Sequence, residues 1–175
     1  MPQIDRPAPE EHAPHYRRYV DEIADGEDDI LGLLERQRDE ALALWGGLDE
    51  ERALRRYAPG KWSVKEVIGH LLDTERVFAL RALWFARGDP GPLPSMEQDA
   101  WVAHGGFNAR RVDDLAEEYR VLRRATVLLF RSLDAEALQR RGVTFGGEVT
   151  VRAFPWLIAG HERHHLKVLS ERYLA

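Results

Sequence analysis

Apolar residues recur at intervals of three and four positions through most of the chain, the spacing that gathers side chains on one face of an α-helix. Charged residues fill the positions between them. Four stretches of this kind predict four helices, numbered here one to four, over Glu27–Trp45, 63–87, Ala109–Leu133 and 150–173. Four amphipathic helices of this length predict an all-α protein built as a four-helix bundle.

Several residues mark where predicted helices two and four begin and end. Ser63 and Glu66 have the spacing of a capping box at the start of helix two, and Gly88 follows its last turn. Thr150 is expected to cap the start of helix four. Pro155 is expected to bend or tighten the second turn of that helix, because proline lacks the backbone N–H donor.

Two long connections join the later helices. Residues 88–108 are dense in glycine and proline, with a short helical stretch predicted near Ser95–Val102, and they link helices two and three. Helices three and four are linked by a short helix predicted near 134–140 and by the connection RGVTFGGEVT at 141–150. Long connections of this kind often border a functional site.

The start of the chain has a different composition. Residues 1–14 hold four of the nine prolines and are expected to pack as an extended arm with little chemistry of its own. Residues 1–26 are therefore assigned to an arm and a short helix. A chain of 175 residues suits a single shared core, so we expect one domain over 1–175.

Composition and charge narrow the function. The formal net charge of −5 is unfavourable for binding nucleic acid, which needs many Lys and Arg. No stretch reaches the roughly 18 apolar residues of a membrane helix, and the start lacks a signal-peptide pattern, so we expect a cytoplasmic protein without a membrane partner. The chain has no cysteine, so any metal ion would be held by histidines and carboxylates.

Histidines provide the candidate chemistry, and three of the seven fall in the segment GHERHHLKVL of helix four. His161 and His165 are four positions apart, about 40° around a helix, so both lie on its apolar face. Two imidazoles at this spacing can bind one ion, as in the helical HExxH motif. His70 lies on the inward stripe of helix two, which also holds Val67, Thr74, Val77 and Trp84. One bundle could therefore bring the three imidazoles together.

Two carboxylates close to these histidines are candidate catalytic residues. Asp73 is one turn beyond His70, where it could hydrogen-bond a ligand imidazole or a metal-bound water, or form an ordinary ion pair with a nearby arginine. Glu162 completes a formal HExxH pattern and lies about 100° around the helix from His161, which leaves a proton-handling role open to it.

The other histidines are weaker candidates. His164 turns toward the border of the apolar face of helix four. His104, in the 88–108 connection, could approach the open side of a metal ion and contact a substrate, or could be simply exposed. For the core-facing histidines, hydrogen-bonded packing is the alternative to metal binding. The spacing alone therefore leaves both interpretations open.

Two segments of the chain resemble a known family. GKWSVKEVIGHLLDTE at 60–75 and WLIAGHERHHLKVL at 156–169 are similar to the DinB/YfiT-like superfamily, and the likeness continues through LPSMEQDAW and LRRATVLLF. In that family the histidine of the GHL segment and the two outer histidines of an HxxxH segment bind one divalent ion. The resemblance therefore implies a four-helix bundle with a metal ion held by His70, His161 and His165.

The resemblance also implies a reaction. Characterised relatives include S-transferases that use bacillithiol or mycothiol, a mycothiol-dependent maleylpyruvate isomerase, and proteins proposed as metal-dependent hydrolases. An open divalent site can hold a thiolate or lower the pKa of a bound water to about 7. We expect the ion, zinc or nickel first and iron, manganese or cobalt as alternatives, to activate a low-molecular-weight thiol that attacks an electrophilic small molecule.

Two other functions remain open from the sequence. The chain could be a metal-dependent hydrolase, with Asp73 or Glu162 managing protons. It could instead be a non-catalytic, stress-related metal-binding or scaffold protein, in which any ion stabilises the bundle. A homodimer is consistent with the resemblance, because related bundles often pair through their helix faces.

Overall fold

Four long helices lie side by side in the computed structural model, which describes residues 3–144 and 146–174. The α-helices of this part of the chain are α1 (Arg17–Asp21), α2 (Ile30–Gly46), α3 (Glu50–Ala53), α4 (Val64–Ala86), α5 (Gln98–His104), α6 (Val112–Arg131), α7 (Ala135–Gln139) and α8 (Ala153–Val168). Single 3-10 turns occur at Pro9–Glu11, Pro14–Tyr16 and Phe107–Ala109, and a π-helical turn extends α8 over Leu169–Tyr173.

The long helices α2, α4, α6 and α8 correspond to predicted helices one to four. Both α2 and α4 pack against α6 and α8, so the four helices close into a ring, and α1 packs against α8. The predicted all-α four-helix bundle is confirmed, with one small two-stranded sheet in addition. Within the described residues, no helix combines the length and the apolarity that crossing a bilayer requires.

Local capping explains where the first two long helices begin. The Ser63 hydroxyl accepts a hydrogen bond from the Glu66 N–H at 3.1 Å, and the Glu66 carboxylate accepts one from the Ser63 N–H at 2.8 Å. The predicted capping box of α4 is therefore confirmed. Predicted helix one begins later than expected, at Ile30, because the Asp29 carboxylate accepts the Gly32 N–H at 2.9 Å and fixes the first turn there.

The connection before α8 differs from its prediction. Strands β1 (Arg141–Thr144) and β2 (Gly147–Thr150) pair antiparallel, and between them Gly146 has a φ of 98°, the left-handed conformation that glycine adopts without strain. Thr150 ends β2 while α8 begins at Ala153, so the prediction that Thr150 caps this helix was wrong. Pro155 consequently lies in the first turn of α8, where a backbone N–H has no partner within the helix, and not in its second turn.

Two other details also differ from the sequence predictions. The short helix in the 88–108 connection is α5, Gln98–His104, which begins three residues later than the predicted Ser95–Val102. Trp84 was expected on the inward stripe of α4 but is 42% exposed, because it lies about 120° around the helix from the buried Phe78.

The N-terminal segment is packed against the bundle. Ile4 is buried and its carbonyl accepts a hydrogen bond from Trp156 Nε1 at 3.3 Å, while Arg152 Nε donates to the Glu11 carboxylate at 2.8 Å. The predicted arm therefore lies against α8, and the predicted short helix is α1. The 3-10 turn Pro14–Tyr16, just before α1, contributes residues to the candidate site. The sequence did not suggest that the N-terminal segment reaches this site.

Buried apolar residues form two clusters, one toward each end of the bundle. Between them lies a polar layer, to which each long helix contributes one buried side chain: Gln37 from α2, Glu75 from α4, Arg123 from α6 and Glu162 from α8. Gln37 Nε2 donates to the carbonyl of Ala159 at 3.0 Å, which ties α2 to α8. The candidate site lies beside this layer.

Gly160 sets the closest approach of α1 to α8. A Cβ atom at this position would lie 1.8 Å from the carbonyl oxygen of Tyr19. We expect Gly160→Ala to displace α1 and to lower the free energy of unfolding by about 1–3 kcal/mol, the usual cost of overpacking. Thermal and urea unfolding would measure this loss.

A matched control is Gly46→Ala, at the end of α2. A Cβ atom there meets nothing within 4 Å, so its free energy of unfolding should be unchanged or up to about 1 kcal/mol higher. Equal effects of the two substitutions would show that the contact between α1 and α8 is not close in solution.

Candidate metal centre

Helices α4 and α8 bring three imidazoles together. His70, His161 and His165 each offer a nitrogen within 4.8 Å of the other two. The Nε2 atoms of His70 and His161 are 3.0 Å apart, and the His165 ring centroid lies 4.9 Å from that of His70 and 4.6 Å from that of His161. This is the grouping that the inward stripe of α4 and the four-residue spacing on α8 predicted.

Burial keeps these imidazoles neutral. Desolvation lowers the pKa of His70 to about 4 and, with help from the neighbouring histidines, the pKa of His165 to about 3. Burial also lowers the pKa of His161 well below its ordinary value. The neutral imidazole is the form that binds metal ions. At pH 7 the cluster therefore offers unprotonated nitrogen donors.

The donor set fits a divalent metal ion. Bonds of about 2.0–2.1 Å from one zinc ion to two imidazole nitrogens place those nitrogens about 3.4 Å apart in a tetrahedral site. The three donors lie within 4.8 Å of one another, so small side-chain rotations reach that spacing. In the described part of the chain, this is the one group of His, Asp or Glu side chains that is spaced to hold an ion.

Neighbouring side chains hold the imidazoles in place. Thr74 Oγ1 lies 3.5 Å from His70 Nδ1, where a hydroxyl can fix the orientation of the ring. The Trp62 ring lies 4.8 Å from the His70 ring, and the Tyr19 ring lies edge-on to the His161 ring at 5.2 Å. These aromatic rings restrict both water access and ring rotation at the cluster.

Two clefts open onto the cluster from different sides. The first, with a cavity volume of about 190 Å³, contains the buried His70 and His161 at its inner end, and we call it the arginine cleft after Arg18 and Arg81. Its other lining residues are His15, Tyr16, Tyr19, Thr74, Val77, Phe78, Ser95, Met96 and Gln98. The second cleft, with a cavity volume of about 660 Å³, contains His165. A ligand could thus reach the imidazoles from solvent.

A buried ion-pair network lies next to His161. Arg123 Nη2 donates to the Glu75 carboxylate at 2.8 Å and also to the Glu162 carboxylate, while Nη1 donates to the carbonyl of Leu34 at 2.8 Å. The Tyr119 hydroxyl donates to Glu162. One arginine therefore links all four long helices through the polar layer.

Sequence reasoning missed Arg123, although a signal was present. Arg123 lies four residues after Tyr119 and four before Val127, on the stripe that faces the core of α6. An arginine at such a position must find buried carboxylates, because an isolated buried charge is unfavourable. Its partners come from other helices, so the sequence gives no means of naming them.

Glu162 belongs to the polar layer, where protein side chains occupy its carboxylate. Its carboxylate accepts hydrogen bonds from Arg123 and Tyr119. Burial raises the pKa of Glu162, and the Arg123 guanidinium opposes that shift. These partners favour a role for Glu162 in holding α8 in position, and its proton-handling role stays a prediction.

The other sequence candidates lie outside the group of three converging imidazoles. Asp73 lies 3.7 Å from Arg76 in an ion pair and shares a separate depression with His104, whose Nδ1 faces a backbone carbonyl of its own helix. Burial raises the pKa of Asp73. His164 lies at the border of the second cleft, with Nδ1 3.9 Å from Glu22. Only the three core-facing histidines converge.

The low pKa values predict an acid-sensitive metal-free protein. Between pH 6.5 and about 4 the unfolded chain protonates His70 and His165, whose ordinary pKa is 6.5, while the folded protein does not. The free energy of unfolding should therefore fall as pH is lowered through this range. Each such histidine contributes up to about 1.4 kcal/mol per pH unit.

Urea unfolding of metal-free protein at several pH values from 5 to 6.5 would measure this slope. His165→Gln should lower the slope by up to about 1.4 kcal/mol per pH unit, the contribution of one histidine, because it removes one largely buried neutral imidazole. His104→Gln, which changes an exposed histidine outside the cluster, is the control variant. Identical slopes in all three proteins would contradict the burial of His165.

The fold and the imidazole cluster together define a four-helix-bundle protein with a three-histidine candidate metal centre. A family model described as the DinB superfamily matches residues 33–169. The chain belongs to the DinB superfamily. The resemblance seen in the sequence is therefore confirmed.

One relative and two solved structures are similar over most of this chain. A protein of Oceanobacillus iheyensis, named as a candidate metal-dependent hydrolase, is 24% identical over 120 residues, which cover 68% of this chain and 69% of that protein. YfiT of Bacillus subtilis, described as a candidate metal-dependent hydrolase with an unusual four-helix-bundle topology, superposes with a TM-score of 0.75 at 18% identity, covering 85% of this chain and 87% of YfiT.

The second structure is a mycothiol-dependent maleylpyruvate isomerase. It superposes with a TM-score of 0.65 at 15% identity, covering 79% of this chain but only 58% of the isomerase. At these identities the structural matches establish a shared fold. This chain spans just over half the length of the isomerase, so the isomerase has further parts without a counterpart here.

Proposed function

We propose that this chain is a divalent-metal-dependent enzyme acting on a small molecule, with His70, His161 and His165 as the metal ligands. The observation that carries the proposal is the convergence of three neutral imidazoles, two of them buried, where two open clefts reach them. A bound divalent ion would supply positive charge and open coordination positions there. The names of the Oceanobacillus relative and of YfiT agree with a metal-dependent activity.

The leading reaction is transfer of a low-molecular-weight thiol to an electrophile. Along the arginine cleft, the described lining residues include no carboxylate that could act as a general base. A thiol has an ordinary pKa of about 8.5, far below the 15.7 of water, so it needs less help to reach its anionic form. With no cysteine of its own, the chain would take the thiol as a second small molecule.

The chain's own side chains would position and shield the reacting groups. The aromatic rings of Tyr19, Trp62 and Phe78 surround the imidazoles and limit water at the inner end of the cleft. Thr74 would orient His70, and the polar layer would hold α8 so that His161 and His165 keep their positions. Similarity in fold to the mycothiol-dependent isomerase is consistent with thiol chemistry.

Metal-dependent hydrolysis is the second candidate, because both the Oceanobacillus relative and YfiT carry that description. The two reactions differ in their need for a thiol. In thiol transfer, the thiolate sulfur forms a bond to carbon as the leaving group departs, and the thiol proton passes to water. In hydrolysis, water is the nucleophile and added thiol has no effect.

The test uses protein prepared without a His-tag and reconstituted with zinc or nickel. Conjugation of bacillithiol or mycothiol with monochlorobimane, which releases chloride, is compared with thiol-free hydrolysis of p-nitrophenyl acetate. Thiol transfer predicts a metal-dependent conjugation rate that falls at least about 100-fold in His165→Gln and is retained in the adjacent control His164→Gln. Metal-dependent ester hydrolysis without conjugation would establish the alternative, and inactivity in both assays across the metals would favour a binding protein.

A further inference from the structure

Arg81 is a buried guanidinium with neutral partners. It lies on α4 at 6% exposure and lines the arginine cleft. Its Nη1 donates to the Tyr16 hydroxyl at 3.4 Å and its Nη2 donates to the carbonyl of Pro94 at 2.7 Å. Neither partner is a carboxylate. Because a buried charge is costly without a counter-charge, this guanidinium is suited to receive an anion from the cleft.

The surroundings of Arg81 reinforce its positive charge. Arg18 of α1 lines the same cleft, with its guanidinium donating to the Tyr19 hydroxyl at 2.7 Å. His15 also lines the cleft, and burial together with the charges of Arg18 and Arg81 lowers the pKa of His15. Among the described residues that line this cleft, no acidic side chain offsets these charges.

The cleft has a distinct chemistry at each end. Arg81 follows His70 by three helical turns, about 16 Å along α4, and side chains on a helix lean toward its N-terminus, which brings the guanidinium back toward the imidazoles. Between the two ends lies an apolar wall that includes Phe78, whose ring is 6.3 Å from the His161 ring and 5.8 Å from the Tyr16 ring. A ligand that fits has an anionic end and an apolar body.

We propose that Arg81, assisted by Arg18, binds the carboxylate of the substrate, and that the substrate class is therefore small carboxylic acids with an apolar or electrophilic body. The planar guanidinium can bind a carboxylate through two parallel hydrogen bonds, which fixes orientation as well as position. The substrate's reactive part would then point along Phe78 toward His70 and His161. The role of this carboxylic acid as a substrate rests on the proposed function. Binding of its carboxylate at Arg81 does not require the metal ion.

Calorimetric titration of metal-free protein isolates the anion site. Benzoate is the probe, and benzamide, which has the same shape without the charge, is the matched ligand control. Benzoate should bind the wild type at least about 10-fold more tightly than benzamide does, because only benzoate forms the charged pair with Arg81. Metal-free protein is used because benzoate could otherwise bind the metal ion and not the arginines.

The protein variants test which arginine is responsible. Arg81→Gln should weaken benzoate binding at least about 10-fold and leave benzamide binding unchanged, and Arg81→Lys should retain part of the affinity because it keeps the charge but not the planar fork. Arg18→Gln should cause a smaller loss of benzoate affinity. Because Arg18 is exposed, this variant still tests the anion site if Arg81→Gln does not fold. Arg17→Gln is the matched control, because Arg17 pairs with Asp21 at 3.4 Å and does not line the cleft.

Equal affinities of benzoate and benzamide for the wild type, or no binding of benzoate at all, would overturn the proposal. Wild-type benzoate affinity in Arg81→Gln, with the wild-type melting temperature, would overturn it too. The metal content of the histidine variants tests the proposed function separately. The benzoate titrations can therefore disprove the anion site without disproving the metal centre. The metal analysis can likewise disprove the metal centre without disproving the anion site.

Discussion

Replacing Arg123 by methionine is expected to lower the free energy of unfolding by about 3–5 kcal/mol. Arg123 is fully buried and, within residues 3–144 and 146–174, is the one cation that contacts both Glu75 and Glu162. Methionine fills much of the same volume, so the loss comes chiefly from two buried carboxylates without a counter-charge. The carbonyl of Leu34 would also lose its donor.

Urea or thermal unfolding measures this loss, and the neighbouring arginine provides the control. The Arg124 side chain is 56% exposed and lies 3.7 Å from Glu35. Arg124→Met should change the free energy of unfolding by no more than about 0.5 kcal/mol. Adding Glu75→Gln and Glu162→Gln to Arg123→Met should restore part of the lost stability, because it removes the uncompensated charges. If Arg123→Met cost no more than Arg124→Met, the buried network would not exist in solution.

Replacing His161 by glutamine is expected to weaken zinc or nickel binding by at least about 100-fold, more than the loss of an outer hydrogen bond to a ligand typically costs. His161 lies close to both other imidazoles, with its Nε2 3.0 Å from that of His70 and its ring 4.6 Å from that of His165. Glutamine is polar but is a weak metal ligand, and His164, whose Nδ1 lies 3.9 Å from Glu22, is outside the group of three converging imidazoles.

Competition with a fluorescent chelator would measure the affinities of the wild type, His161→Gln and His164→Gln. The His164→Gln protein should bind zinc as the wild type does, since His164 lies outside the convergent group. Equal losses in the two variants would mean that His164 also binds the ion, in contradiction to the three-histidine group proposed here.

Sequence reasoning succeeded where the signal is local and periodic. The long helices follow from three- and four-residue spacing, the start of α4 follows from Ser63 and Glu66, and the two histidines of α8 share a face because four residues make about one turn. His70 could be predicted as the third histidine of the site because its stripe on α4 faces inward. The predicted homodimer, the cytoplasmic location and the single-domain assignment stay predictions.

The remaining features depend on contacts between segments far apart in the chain. The β-hairpin before α8 was missed because RGVTFGGEVT is too short and glycine-rich to show clear alternation, and its register depends on packing against the bundle. Arg123 and Arg81 appear in the sequence as two of many arginines. Their importance comes from burial and from partners on other helices, such as Glu162 for Arg123 and Tyr16 for Arg81.

The most direct test of the metal centre is elemental analysis of protein purified without a His-tag. The proposal predicts about one divalent ion per wild-type chain, the number that three convergent imidazoles can hold. That ion should be lost in His70→Gln and in His161→Gln and kept in His164→Gln. A wild-type protein that contains no metal and cannot be reconstituted with zinc, nickel, iron, manganese or cobalt would contradict the proposed metal centre, as would full metal content in the His70 and His161 variants.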